Sequence, residues 1–205
     1  MSALPLHLRA GLRWIGIAAA LVVAVLATGC AHPISLTPPM DKLTGAGKGK
    51  IDRKVGLAMS EADRGREVTT PGGGGDKVSY FPYRDLESGL YLALSESFTQ
   101  VSRVSGPADP KVKAEGLHYI VTPTIATTSY SPSLLTWPPT VFTVELSCRV
   151  SDAEGKPVTD LRVMGEGRAE FEMFKSDPSL AARLAAQDAL RKLIDAISAA
   201  APQLR

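Results

Sequence analysis

Thr159-Asp160-Leu161-Arg162-Val163-Met164-Gly165-Glu166-Gly167-Arg168-Ala169-Glu170-Phe171-Glu172-Met173 is the stretch that decides the fold. Its odd positions from Leu161 onward are apolar or small, and its even positions are charged except for Met164. Side chains alternate across a strand, so this period of two predicts a strand over 159–173, in a sheet with one wet face. Gly165, Gly167 and Ala169 lack bulk. A helix can therefore lie close over the strand at that point. On the outer face, Glu166, Arg168, Glu170 and Glu172 are expected to form ion pairs worth little each, rather than an acid/base set.

The helix that would cover this strand follows it. Asp177-Pro178 reads as an N-cap acid with proline at the first helical position. Ala182, Ala186, Ala189, Leu193 and Ile197 then form a stripe at helical spacing, widened by Leu190 and Ile194, which predicts a helix over 178–200. Upstream, Val141 to Val150 again alternates with period two. Cys148 falls on its apolar side with Leu146 and Val150, as a buried thiol rather than a nucleophile. Asp152-Ala153-Glu154-Gly155 turns the chain between these two strands. Turns favour Asp for local hydrogen bonding, and the spacing of a calcium loop is absent.

Leu117 to Ile125 reads as another strand, with Pro123 marking an edge, a bulge or its end. Leu86, Leu90, Leu94, Ser97 and Val101 repeat at helical spacing behind Asp85 as N-cap, which predicts a helix over 86–104. Ile51 to Ser60 reads as the first strand. Residues 66–81 hold two short β-prone pieces around Pro71-Gly72-Gly73-Gly74-Gly75-Asp76, an extra hairpin. The expected fold is α+β, one domain over 51–201. Its element order is β-α-β-β-β-α, a mostly antiparallel four-stranded sheet with both helices on one face and a right-handed first crossover.

The N-terminus carries a different signal. Arg9 and Arg13 precede an apolar run from Trp14 to Ala27, followed by Thr28-Gly29-Cys30. A charged start, a short apolar stretch and small residues form a secretory signal, too short for the roughly 20 residues of a membrane span. Leu26-Ala27-Thr28-Gly29-Cys30 resembles the lipobox of bacterial lipoproteins. The Leu usual three places before the cysteine stands one place further out, with Ala27 in its position. The resemblance implies a signal peptide over 1–29, cleavage before Cys30 and acylation of Cys30. Ala31, rather than Asp, after the cysteine resembles the pattern sorted to the outer membrane, facing the periplasm; the inner membrane is the lesser expectation. Residues 30–50, rich in Pro, Gly and Lys without periodicity, read as a flexible tether.

Cleavage there removes two of the 23 Lys and Arg and none of the 21 Asp and Glu, leaving 21 of each. A neutral, sign-mixed chain argues against nucleic acid, which asks for a clustered basic face. The element order on a lipobox-bearing chain resembles small periplasmic lipoproteins of the YajG-like and transport-auxiliary types, and that resemblance implies no catalytic residues.

No catalytic, cofactor or metal constellation stands out. Gly45-Ala46-Gly47-Lys48-Gly49-Lys50 lacks the terminal Gly-Lys-Ser/Thr of a phosphate loop. His118 is the one histidine outside the leader and the tether, and it falls in an expected strand beside Tyr119, which makes no Ser-His-acid set credible. Leu134, Leu135 and Trp137, in the Pro-rich loop 126–140, form the first candidate partner surface, with a lid over the core as the rival reading. Tyr80 and Phe81 form the second. The expected function is a lipid-anchored, non-enzymatic adaptor or assembly subunit of the cell envelope, held to the membrane by its lipid and engaging an envelope protein. The alternative is a module binding a small molecule or lipid in a groove between helices and sheet.

Overall fold

The structure, a computed structural model, describes residues 31–72, 77–131 and 140–204. The expected signal peptide, Cys30, the hairpin tip and Leu134, Leu135 and Trp137 lie outside the described residues. Among the described residues, eight strands form two sheets. Strands β1 (His32–Pro33), β3 (Val68–Pro71) and β4 (Lys77–Tyr80) make a small sheet in the order β1-β4-β3. The main sheet has the order β5-β2-β6-β7-β8, built from β2 (Ile51–Ala58), β5 (Phe98–Val104), β6 (Tyr119–Tyr130), β7 (Thr140–Asp152) and β8 (Pro157–Ala169). β2 pairs in parallel with β5 and with β6, while β6, β7 and β8 are antiparallel. The helices are α1 (Glu61–Arg64), α2 (Pro82–Ser97), α3 (Pro110–Ala114), α4 (Phe171–Ser176) and α5 (Leu180–Ala199).

The α+β class holds, but the sheet is five-stranded and mixed rather than four-stranded and mostly antiparallel. The difference lies at Phe98. The helix expected over 86–104 starts at Pro82 and stops at Ser97, and the next seven residues are the edge strand β5. Phe98, Val101 and Val104 are buried at intervals of three, which mimics a helical stripe. In the strand, Val101 joins the main core, whereas Val104 packs on the opposite face with Ala58, Val112, Leu117 and Ile120 beneath α3. Both sheet faces are covered there, so period two is lost.

Two further boundaries moved. β8 ends at Ala169, and Phe171–Ser176 turns into a helix that buries Phe174 and leaves Met173 exposed. β6 runs through Pro123 to Tyr130, with Pro123 opposite Cys148 of β7. The ladder to β2 ends at Val121, so the missing N–H of Pro123 interrupts nothing on that side.

The hairpin expected over 66–81 is present as β3–β4. The close approach expected at the glycines is present too. A β-carbon on Gly165 would stand 2.7 Å from the Ala189 methyl, and one on Gly167 would stand 2.5 Å from the Ala185 nitrogen. α5 therefore lies directly on β8 through its alanine face, with Ala181, Ala182, Ala185, Ala186 and Ala189 all buried. It reaches α2 where Gly89 meets Leu190. Asp188 and Lys192 reach over the rim of β8, the Glu166 N–H donating to Asp188 (3.1 Å) and the Lys192 ammonium donating to the Met164 carbonyl (2.9 Å). Polar side chains thus cap part of an edge that would otherwise present bare backbone to another strand.

The tether expected over 30–50 is corrected. Leu36 and Leu43 are fully buried in the main core. The Leu36 N–H donates to the Asp85 carboxylate (3.0 Å), and the Ile34 N–H to the Ser79 carbonyl (2.9 Å). Two buried leucines are worth roughly 1.5–3 kcal/mol each, enough to hold a segment with no regular structure of its own. Asp85, expected as a helix cap, lies inside the first turn of α2 and binds this arriving segment instead. Pro178 likewise precedes α5, whose N-cap is Ser179, and Asp177 pairs with Arg183 (2.5 Å).

Candidate functional site

The aromatic pair Tyr80 and Phe81 divides between the end of β4 and the N-cap of α2. Tyr80 is 1% exposed, so it is core and not a partner surface. Its ring meets Phe142 edge-on at 5.3 Å. Its hydroxyl shares hydrogen bonds with Thr127 (2.8 Å) and Thr70 (3.3 Å), and burial pushes its pKa upward. Ser129 donates to the Pro71 carbonyl and shares a hydrogen bond with the Thr70 hydroxyl (2.7 Å). This hydroxyl network fastens the β3–β4 hairpin to β6. Strand alternation placed Tyr80 with Val78 on the inner face of β4, and an aromatic cluster in sequence carries no sign of that. Phe81 is half-buried, with the Arg84 guanidinium stacked 3.7 Å from its ring centre.

Thr140 and Tyr130 fix where loop 126–140 leaves the sheet. Residues 126–130 belong to β6, and Tyr130 pairs with Val141. Thr140 pairs with Ala169, so the loop springs from the end of the sheet where β8 gives way to α4. The hydroxyl contacts of Ser129 place the β3–β4 hairpin at the same end. Leu134, Leu135 and Trp137 themselves lie outside the described residues.

A charged node absent from the sequence reading joins α1, α2 and β5. Arg64 grips Glu87 through two nitrogens, at 3.0 and 2.9 Å, and Arg103 donates to the same carboxylate at 3.1 Å. The Arg103 guanidinium also stacks over Tyr91, 4.5 Å from its centre. The hydrogen bonds and charge of Arg64, aided by Arg103, hold the Glu87 carboxyl below its ordinary pKa. Every partner here is a protein group, and the node ties secondary-structure elements together. Residues 23 and 16 positions from Glu87 supply it, a separation no local spacing reveals.

The other candidates resolve into structural roles. Gly47 passes against the Glu96 carbonyl with no room for a side chain, the Gly45 N–H donates to the Glu96 carboxylate (3.0 Å), and Lys48 pairs with Asp195 (2.8 Å). The Asp152 carboxylate accepts the N–H groups of Glu154 (3.1 Å) and Lys156 (2.8 Å), closing its own turn. His118 accepts from the Lys54 N–H (3.2 Å) between β2 and β6. Cys148 is buried at 1% exposure, and desolvation pushes its thiol up to about 12. Arg168 pairs with Glu170, just past the end of its strand (3.2 Å), and Arg149 faces Asp160 across strands at 3.9 Å. A hollow of about 450 Å³ opens at the C-terminal ends of α2 and α5, lined by Lys48, Lys50, Arg53, Ile51, Ile194 and Ile197.

No protein-family model matches the chain, and no curated protein matches it. Solved structures are similar at low identity. A minor lipoprotein from Acinetobacter baumannii aligns at 13% identity and TM-score 0.47, over 72% of this chain and 93% of its own. A protein from Xanthomonas campestris, titled with the DUF330 family, aligns at 11% identity and TM-score 0.41, over 84% and 93%. A putative lipoprotein from Caulobacter crescentus aligns at 15% identity and TM-score 0.37, over 66% and 88%.

Proposed function

We propose that this chain is a lipid-anchored lipoprotein of the bacterial cell envelope, acylated at Cys30, held at the outer membrane and facing the periplasm. In this reading it serves as a non-enzymatic adaptor or assembly subunit. The observation that carries it is Leu26-Ala27-Thr28-Gly29-Cys30 behind a charged and apolar leader, with the folded domain beginning at His32. The charge-neutral remainder and the structural roles taken by its charged and nucleophilic side chains favour a protein that holds and recruits.

The groove reading is the less favoured one. α5 rests on β8 at backbone contact, and Leu190, Leu193 and Ile194 fill the space between helices and sheet. A ligand-binding groove needs several hundred Å³ of mostly apolar space, and the hollow near Lys48 lies at the helix ends instead.

The partner surface of the adaptor reading is the segment bearing Leu134, Leu135 and Trp137. Trp137→Ala tests it. As an interface anchor, it weakens capture of the envelope partner by about 2 kcal/mol or more and leaves the melting temperature nearly unchanged. A loss of about 3–5 kcal/mol in stability would make Trp137 a core lid and withdraw the interface.

A further inference from the structure

Resting on the lipid-anchor reading, we infer that the domain sits with one particular end against the bilayer. That end carries the start of β1, the paired residues Pro71 and Lys77 of β3 and β4, the end of β6 at Tyr130, the start of β7 at Thr140, and α4. Two peptide units join Cys30 to His32, and fully extended they reach about 7 Å. His32 is already a strand residue, paired with Val78, and Ile34 to Leu36 are bonded to Ser79, Ser179 and Asp85. The expected tether is therefore absent where a tether would have to be. Acyl chains on Cys30 bring the start of β1 to the lipid headgroups.

Topology then fixes what else meets the lipid. Neighbouring strands lie about 4.8 Å apart, and His32, Val78 and Thr70 are successive rungs of the small sheet. Thr70 and Pro71 are bonded to Ser129, next to Tyr130. Tyr130 faces Val141, whose neighbour Thr140 faces Ala169 at the entry to α4. Of the four large hydrophobic side chains exposed among the described residues, Tyr130 (53%) and Met173 (49%) lie at this end. Exposed Lys77, Arg168 and Lys175 accompany them, with Glu170 and Glu172. This mixture gives little net attraction to anionic lipid. The contact is imposed by the short covalent reach, and Tyr130 and Met173 supply the aromatic and apolar groups that suit the headgroup region. The β7–β8 turn at Glu154 lies at the far end of the β6–β7 ladder, roughly 35 Å away at about 3.3 Å per residue.

The test uses the full lipidated protein in vesicles of phosphatidylethanolamine and phosphatidylglycerol with headgroup-nitroxide lipid. Tyr130→Cys and Glu154→Cys variants are labelled with an environment-sensitive fluorophore. Met173→Cys is a second reporter should Tyr130→Cys fold poorly, and the unsubstituted chain is the labelling blank, since Cys148 is buried. The expected result is loss of most of the fluorescence at 130 and 173, with 154 unaffected. Equal quenching, or quenching at 154 alone, in protein whose Cys30 carries acyl chains by mass would overturn the orientation and leave the anchor intact. A Cys30 without acyl chains would overturn the anchor and the orientation with it.

Discussion

Gly167 of β8 and Ala181 of α5 approach so closely that a β-carbon on the glycine would overlap the alanine's carbonyl oxygen. Gly165 makes the same approach one pleat away, against Ala185 and Ala189. The backbone of one element fills the gap left by the missing side chains of the other. Overpacking a filled core costs about 1–3 kcal/mol, and here the obstructing atoms are backbone that cannot rotate aside. Gly165→Ala and Gly167→Ala are each expected to lower the urea midpoint by at least that equivalent, whereas Val163→Ala on the same strand is milder. The check is equilibrium unfolding at constant m-value.

Leu36 and Leu43 give a second prediction, because they turn a presumed tether into part of the core. Leu36→Ala and Leu43→Ala are each expected to cost about 2–5 kcal/mol. A segment that merely spaced the domain from a membrane would show no change in the unfolding midpoint.

Glu87 gives a pH prediction. Its folded pKa is lowered by Arg64 and Arg103, so the pair's stabilisation is complete above the unfolded glutamate value of about 4.3. It is lost as pH falls through the folded value. Glu87→Gln is expected to destabilise the domain by roughly 1.5–3 kcal/mol at neutral pH, the scale of hydrogen bonds to charged groups. The same variant should lose less stability than the parent between about pH 5 and pH 3. Parallel unfolding curves for the two proteins across that range would contradict the assignment.

Cys148 should be inert in the folded protein. With its thiol pushed up to about 12 and its side chain enclosed, a bulky thiol reagent is expected to react only upon unfolding. Cys148→Ala is expected to cost about 1 kcal/mol. Fast stoichiometric labelling under native conditions would refute the burial.

Where one face of an element is buried and the other is wet, the sequence shows it plainly. β7 and α5 are legible to within a few residues of their observed bounds because their apolar residues keep one period, whereas the alternation of β8 runs on past Ala169 into a helix. β5 was hidden because Val101 and Val104 serve opposite faces. Leu36 and Leu43 were hidden because isolated leucines among prolines and glycines have no period at all. The burial of Tyr80 is not legible in the sequence, because an aromatic's exposure depends on partners such as Thr127 and Phe142, which are distant in sequence. The Glu87 node was invisible for the same reason.

The central claim is that Cys30 becomes the acylated N-terminus of the mature protein. Intact mass and fragmentation of the N-terminal peptide from protein expressed in a bacterium test it most directly. The account predicts a peptide beginning at Cys30, carrying a thioether-linked diacylglyceryl group and an acylated amine. In the Cys30→Ser variant these groups are absent and fatty-acid labelling is lost. A mature chain that begins elsewhere, or a Cys30→Ser variant that incorporates fatty acid like the parent, would contradict it.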